Sequence, residues 1–197
     1  MAGLPPSPLL REALATATEA HAGQIRNGAG GIPYIEHPVA VAELLAEDGW
    51  TDEVLAAALL HDVIEDSELT LDDLQGQFGD PVAGLVGSLS DNETIADWHE
   101  RKEEHRERVA TAGPQALAIY GADKLTNARA LRGAWEEEGE AVASELKVPL
   151  EAKLDAWEAD LELLRAVAAE LRFLDELEGE LRRLRAGRSS AAPRSGT

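Results

Sequence analysis

His61 and Asp62 place a nitrogen donor beside an oxygen donor at the end of the apolar run Ala56-Ala57-Ala58-Leu59-Leu60, and Glu65 and Asp66 follow one turn later. If one helix runs through them, Asp62 and Glu65, His61 and Glu65, and Asp62 and Asp66 are surface neighbours three or four residues apart. Apolar packing then carries four metal- or proton-handling groups to one patch, whereas an ordinary amphipathic helix keeps its charges away from the core. Two more candidates stand in helical contexts: His37, just before Pro38, and Asp123, in Ala122-Asp123-Lys124-Leu125. Two neutral imidazoles and two carboxylates make a borderline-to-hard donor set that leaves room for water. Such a set suits Mn²⁺, Fe²⁺ or Mg²⁺ better than a closed structural zinc site. Singly, each group has a plain reading: a surface His-Asp pair, a helix-start histidine, a buried carboxylate balanced by Lys124. Together, embedded in apolar helices, they point to a metal site.

Composition narrows the chemistry further. The 197 residues suffice for one well-buried domain, and the 44% apolar content is that of a globular chain despite the charge. There is no cysteine, which excludes disulfides, thiolate metal sites and cysteine nucleophiles. A net charge of −20 argues against nucleic-acid binding, which needs a broad basic surface. A small anion needs only a local cationic pocket or a divalent ion. Met1-Ala2-Gly3-Leu4-Pro5-Pro6 shows no basic segment followed by an apolar one, and no uncharged run approaches the ~18 residues that span a bilayer. The expectation is a cytoplasmic protein with no membrane partner.

The elements that must position these residues read as helices. A first is expected from Ser7 to His21, then a glycine-rich loop from Gly23 to Pro33, then a helix with Pro38 as its first residue. Gly49 ends that helix, and Thr51 or Asp52 caps the next, which bears His61-Asp62. Thr70 and Asp73 resemble a capping box for a short helix ending near Phe78-Gly79, and Pro81 opens another, Val82 to Leu89. A polar connection, Ser90 to Ala96, leads into a charged helix from Asp97 to Ala110. Pro114 starts the helix bearing Asp123. Glu136 to Glu140 reads as a solvated turn. From Leu150, apolar residues at threes and fours predict one long helix or two broken near Arg172, with a seam that could also pack on a second subunit. The tail from Gly187 reads as disordered.

The segments Gly31-Ile32-Pro33-Tyr34-Ile35-Glu36-His37-Pro38, Leu59-Leu60-His61-Asp62-Val63-Ile64-Glu65-Asp66 and Ala122-Asp123-Lys124-Leu125-Thr126-Asn127, with His21, Arg26 and Phe78-Gly79, carry a resemblance. They look like the HD-domain phosphohydrolases, in the branch of guanosine polyphosphate (ppGpp) 3′-pyrophosphohydrolases, the small alarmone hydrolases and RelA/SpoT hydrolase domains. The resemblance covers residues 7–132 well and 147–165 more loosely. It implies an all-α HD-domain helical bundle with a long C-terminal helix or helix pair. A single domain is expected over 1–186, with the metal-site core in about 7–132, C-terminal helices in about 140–186 and a tail at 187–197.

By the same resemblance, His37, His61, Asp62 and Asp123 hold one divalent ion, usually Mn²⁺, and Glu65 and Asp66 are the paired acids that activate or orient the attacking water. Chemistry supports that division, since a metal-bound water is acidified and a nearby carboxylate can take its proton. Glu65 is the first choice of base. Acids at a helix C-terminus oppose the helix dipole and ask for a cation. Arg26 falls near the substrate base or phosphates, and Asn127 can bond the nucleoside sugar or phosphate. Lys124 contacts substrate or only balances Asp123. Lys153 and Trp157 resemble a basic/aromatic pair on the nucleotide, although Trp157 is also in register with the core. Arg101, Lys102 and Arg106 make a cationic wall or a solvated face. His21 reads as structural, His99 and His105 as exposed. Asn27, Glu93 and Ala118 stand where relatives often carry a basic residue, a loss of roughly 1 kcal/mol or more of phosphate binding each if partly buried.

The expected function is therefore removal of the 3′-pyrophosphate from (p)ppGpp. One rival is the same chemistry on another nucleotide, such as a nucleoside monophosphate, an adenine alarmone or a phosphorylated dinucleotide. The other is a non-catalytic nucleotide sensor that contacts a partner through its C-terminal helix.

Overall fold

A computed structural model describes residues 3–26 and 31–191 of the chain. Asn27 and residues 192–197 lie outside the described residues. The protein is all-α, and its buried apolar side chains form one contiguous cluster. Helix α1 (Pro8–Ala20) begins with proline behind Ser7, which suits a ring that has no N–H to donate. Helix α2 (Glu36–Glu47) starts two residues before Pro38, not at it, so the proline sits within the first turn, where no intrahelical N–H is needed.

Helix α3 (Asp52–Leu60) lies at the centre. Every residue from Val54 to Leu60 is buried, so this helix is apolar all round and is packed by α1, α2, α6 (Asp80–Leu89) and α8 (Pro114–Glu138). The helix expected to continue through His61 and Asp62 instead ends at Leu60, and a one-turn helix α4 (Val63–Asp66) follows. His61 and Asp62 fall at the junction of the two helices and keep right-handed helical dihedrals.

Helix α5 (Leu71–Phe78) carries the expected capping box, with Asp73 N–H donating to Thr70 Oγ1 at 3.2 Å and Thr70 N–H donating to Asp73 Oδ2 at 2.9 Å. Helix α7 (Trp98–Ala110) is capped by Asp97. Helix α8 is the spine between the N-terminal helices and the C-terminal pair, α9 (Leu150–Val167) and α10 (Leu174–Ala191). It runs through Gly133 and absorbs Glu136 to Glu138 before a 3₁₀ segment, Gly139–Glu145, where a turn was expected. The C-terminal apolar stretch is two helices, broken between 167 and 174. The seam Leu174, Leu177, Leu181 and Leu184 is buried within this same chain, and α10 packs against both α8 and α9. Helix α10 also continues past Gly187, where the sequence predicts disorder.

Close approach of α8 to the C-terminal pair depends on Gly121. A Cβ there would lie 2.9 Å from Phe173 Cε2 and 3.2 Å from Leu164 Cδ1. Ion pairs Arg129–Glu176 and Arg132–Glu180 fasten α8 to α10. Among the described residues, no helix is long and apolar enough to cross a membrane.

Candidate active site

Three elements bring the predicted donors together. Helix α2 supplies His37, the α3–α4 break supplies His61 and Asp62, and α8 supplies Asp123. His37 Nε2 lies 3.0 Å from Asp123 Oδ1 and 3.6 Å from Asp62 Oδ2, and His61 Nε2 lies 3.2 Å from Asp62 Oδ1 and 3.7 Å from Asp123 Oδ1. Atoms bonded to one ion at about 2.1 Å lie roughly 3.0–3.5 Å apart, so these separations fit a shared cation.

The histidine tautomers are legible from their partners. His61 Nδ1 lies 2.8 Å from the Ala58 carbonyl oxygen, which can only accept, so Nδ1 carries a proton and Nε2 is the nitrogen turned to the carboxylates. Thr126 donates its hydroxyl hydrogen to the Asp123 carbonyl, so at 3.3 Å its oxygen accepts from His37 Nδ1, and the Nε2 of the neutral His37 is bare. His61 Nε2 is buried and makes no hydrogen bond of acceptable geometry, despite the nearby Asp62. Orienting ring hydrogen bonds behind convergent nitrogens are the usual support of a metal ligand. The residues present therefore fit a divalent ion, and the group His37, His61 and Asp123 could hold one.

The electrostatics agree. Burial holds His37 below its ordinary pKa, which keeps it neutral. Burial also opposes charge on His61, but the Asp62 and Asp123 carboxylates outweigh it and push it up to about 9. Two carboxylates that draw a proton onto a buried imidazole mark a point of strong negative potential, which a cation neutralises. Asp123 resists the upward push of burial and stays well below the carboxylate range, chiefly because Lys124 lies 2.8 Å from it.

These groups sit in a cleft of about 650 Å³. Glu65 lines it and reaches solvent along it, yet the surrounding protein and the charge of Asp62 push its carboxyl up to about 7. Asp66 does not line the cleft. Its carboxyl is raised by burial and by Asp62, and its backbone carbonyl accepts from Gln24 Nε2 at 2.8 Å. The structure thus separates the two acids. Arg26, Lys124, Asn127, Lys153 and Trp157 all line the cleft. Asn127 bridges: its amide donates to Asp123 Oδ1 and its oxygen accepts from Arg26 Nη2 at 2.7 Å. Trp157 is 6% exposed and has the Lys153 ammonium 4.9 Å from its ring centroid, so core packing and a cleft-facing role coexist.

Several residues escaped sequence reasoning. Tyr34 donates to Asp62 Oδ2 at 2.7 Å and stacks on His21, whose structural reading holds. The flanks of the glycine-rich loop pair, with Arg26 N–H on the Ile32 carbonyl and Tyr34 N–H on the Gln24 carbonyl, each at 3.0 Å; this aims Arg26 and Tyr34 inward. Asp91 donates its backbone N–H to Glu65 Oε1 at 2.7 Å. Its carboxylate is gripped by Lys102 at 2.6 Å and His105 at 2.8 Å. His105 is thus buried, not exposed as expected, because an i, i+3 spacing with Lys102 on α7 turns both towards Asp91. Of the α7 face read as a cationic wall or a solvated face, Arg101 and Lys102 stand in the cleft wall with His105, whereas Arg106 pairs with Asp160 and does not line the cleft. Spacing along α7 hints at the pairing of Lys102 with His105, but the link to Asp91 and Glu65 has no local signature. Ala118 is fully buried in the core and Glu93 is exposed and does not line the cleft, so neither position withholds a cation from it.

Residues 13–157 match the HD domain family model. Over 124 residues the chain is 43% identical to the mouse guanosine-3′,5′-bis(diphosphate) 3′-pyrophosphohydrolase MESH1, an alignment covering 62% of this chain and 69% of that one. It is 43% identical over 127 residues to the Escherichia coli bifunctional (p)ppGpp synthase/hydrolase SpoT, but spans only 18% of that protein. A solved structure described as a metazoan ortholog of SpoT that hydrolyzes ppGpp superposes with a TM-score of 0.72 at 28% identity, covering 94% of this chain and 98% of the other. On this sequence match and this shared fold, the chain belongs to the HD-domain family, alongside the MESH1 and SpoT ppGpp hydrolases.

Proposed function

We propose that this protein is a metal-dependent phosphohydrolase that removes the 3′-pyrophosphate of ppGpp or pppGpp, giving GDP or GTP and pyrophosphate. The observation that carries the reading is the convergence of two imidazole Nε2 atoms and two carboxylates on one point, beside Glu65, in a cation-lined cleft. The likeness to enzymes named for this reaction supports the substrate class. Residues 1–186 act as one domain in this reading, in keeping with the single contiguous core.

His37, His61, Asp62 and Asp123 would hold the ion. Its mixed nitrogen and oxygen donors suit Mn²⁺, with Mg²⁺ or Fe²⁺ as alternatives. Such an ion acidifies a bound water and screens phosphate charge. Tyr34 fixes the Asp62 carboxylate, and Asn127 fixes Asp123. Glu65 accepts the proton of the attacking water, and the Asp91 N–H holds its carboxylate in place. Asp66 does not line the cleft, and its backbone carbonyl anchors the turn through Gln24. Arg26, Lys124 and Asn127 line the approach to the phosphates, and Trp157 offers a face to the nucleotide. The bond broken joins the 3′ oxygen to phosphorus; water supplies the new oxygen and the departing nucleoside oxygen takes a proton.

The test is a panel of ppGpp, pppGpp, nucleoside monophosphates and phosphorylated dinucleotides with Mn²⁺, the products resolved by chromatography. Pyrophosphate with GDP or GTP is the expected result. Orthophosphate from a monophosphate would assign the site to another nucleotide, and tight ppGpp binding without turnover would make the protein a sensor.

A further inference from the structure

All four lysines of the chain, Lys102, Lys124, Lys147 and Lys153, line the cleft, and five acids line it with them. Four of those acids have a part in the reading above. Asp62 and Asp123 are donors for the ion, Glu65 takes the proton, and Asp91 holds Glu65. Asp160 is left over. It sits on α9, which contributes no donor to the His/Asp centre, and it is only 4% exposed. A buried anion costs free energy unless it is paired, and one in the wall of a polyphosphate site also repels the substrate. Its place there needs a compensating role.

Its partners supply one. Asp160 Oδ1 accepts from the Tyr120 hydroxyl at 2.8 Å and, more loosely, from Arg106 Nη1 at 3.3 Å. Tyr120 is 3% exposed, and its ring meets the His105 ring in a T-shaped contact with centroids 5.3 Å apart. Burial, joined by the charge of Asp160, raises its phenol above the ordinary pKa against the pull of Lys124, so it remains a donor. Tyr120 and Lys124 stand four apart on α8 and share a face. The Lys124 ammonium lies 4.3 Å from the Tyr120 ring centroid and 2.8 Å from Asp123 Oδ2. A phenol that donates to a carboxylate gains electron density in its ring, which strengthens the ring's hold on a cation. An ammonium has three N–H donors. Asp123 takes one and the ring covers a second, which leaves the third for the cleft. The contacts therefore run without a gap from α9, through Tyr120 and Lys124, to a donor of the ion.

We propose that Asp160 is a positioning residue for the hydrolysis, acting through Tyr120 on Lys124. It anchors the Tyr120 hydroxyl, and the Tyr120 ring carries the Lys124 ammonium. That ammonium is thereby held against Asp123 with one N–H turned to the reacting phosphate. This rests on the phosphohydrolase reading above.

The test is a cycle between Asp160 and Lys124. Wild type, Asp160→Asn, Lys124→Met and the double variant are assayed on ppGpp with Mn²⁺, and each is titrated with inorganic pyrophosphate by calorimetry. Tyr120→Phe, which keeps the ring and removes the link, is carried alongside. On charge alone, removing an anion from the wall would tighten pyrophosphate binding and raise kcat/KM. Positioning predicts the opposite sign. In Asp160→Asn and in Tyr120→Phe, kcat/KM should fall by about tenfold or more and the pyrophosphate Kd should rise, as for loss of a group that orients a ligand contact. In the Lys124→Met background, Asp160→Asn should change either quantity by less than about twofold. An unchanged or improved Asp160→Asn would overturn the inference. So would an equal loss with and without Lys124, since Asp160 would then serve only to fasten α7 to α9 through Arg106. Should Asp160→Asn fail to fold, Tyr120→Phe alone and with Lys124→Met repeats the cycle. If wild type releases no pyrophosphate from ppGpp, the phosphohydrolase reading fails, and the pyrophosphate titrations still decide whether Asp160 acts through Lys124.

Discussion

Gly121→Ala pits two well-characterised effects against each other, and the packing at that position decides the sign. Alanine is about 1 kcal/mol better than glycine inside a helix, and Gly121 lies well within α8, so propensity alone predicts stabilisation. The new methyl, however, would stand 2.9 Å from Phe173 Cε2 and 3.2 Å from Leu164 Cδ1. Phe173 is 4% exposed and Leu164 is fully buried, so neither has space to retreat. Overpacking of this kind costs about 1–3 kcal/mol, and a contact with a fixed ring belongs at the upper end. The net expectation is a loss of about 1–2 kcal/mol, or roughly 3–6 °C in Tm for a chain of this size. Phe173→Leu removes the offending ring atoms, so in that background Gly121→Ala should become neutral or stabilising. Urea unfolding of the four proteins measures both effects, with the slopes checked for constancy. A stabilised Gly121→Ala in the wild-type background, or an identical effect in both backgrounds, would refute the claim that Phe173 requires the glycine.

Asp91→Ala should lower stability by about 2–3 kcal/mol, since it leaves Lys102 without its acceptor and removes the carboxylate packed 2.8 Å from the buried His105, and should lower kcat by loosening Glu65. Burial alone would raise the Asp91 pKa, but His105 and Lys102 outweigh it and hold it below its ordinary 3.8. A depressed carboxylate stabilises above its unfolded pKa and ceases to as pH falls through its folded one, so the gap between wild type and Asp91→Asn should be full at pH 7 and narrow steadily below pH about 4 in denaturation curves. Glu65→Gln should leave Mn²⁺ affinity, read by calorimetry, within a few-fold of wild type while kcat falls by about 10²–10⁴; normal turnover would remove Glu65 as the base. Saturating Mn²⁺ at about 100 times its Kd should stabilise wild type by about 2.7 kcal/mol, an effect absent from His61→Ala and abolished by a chelator.

What the sequence discloses follows the range of each interaction. Helical periodicity, the Thr70–Asp73 box and the proline and glycine positions are local, and the helices they imply are present. The donor set was legible because His61-Asp62 follows a run too apolar to be a surface, and because His37 and Asp123 stand in similar company. Two kinds of information were not local. The break after Leu60 leaves no mark in residue type, because His61 and Asp62 keep nearly helical dihedrals and only the hydrogen-bond ladder is interrupted. The Asp91 hub joins a loop, a one-turn helix and α7, so composition presents its parts as a polar connection and a solvated face. Helix α8 outran its expected end for a related reason. Its Glu-rich last turn has poor intrinsic support from the dipole but is held by Arg132 across Glu136 and Glu180.

The gathering of every lysine in the cleft has a chemical consequence beyond binding. Apart from the chain's terminal amine, an amine-reactive reagent has no side-chain target elsewhere on this molecule. Acylating agents, aldehydes and succinimidyl dyes, which decorate most proteins indiscriminately, act here as labels of one cavity. Among the four lysines, Lys153 is the amine whose pKa burial lowers, to about 8. Stoichiometric labelling that substrate blocks would report occupancy of the cleft directly, and immobilisation through lysine would silence the protein it was meant to display.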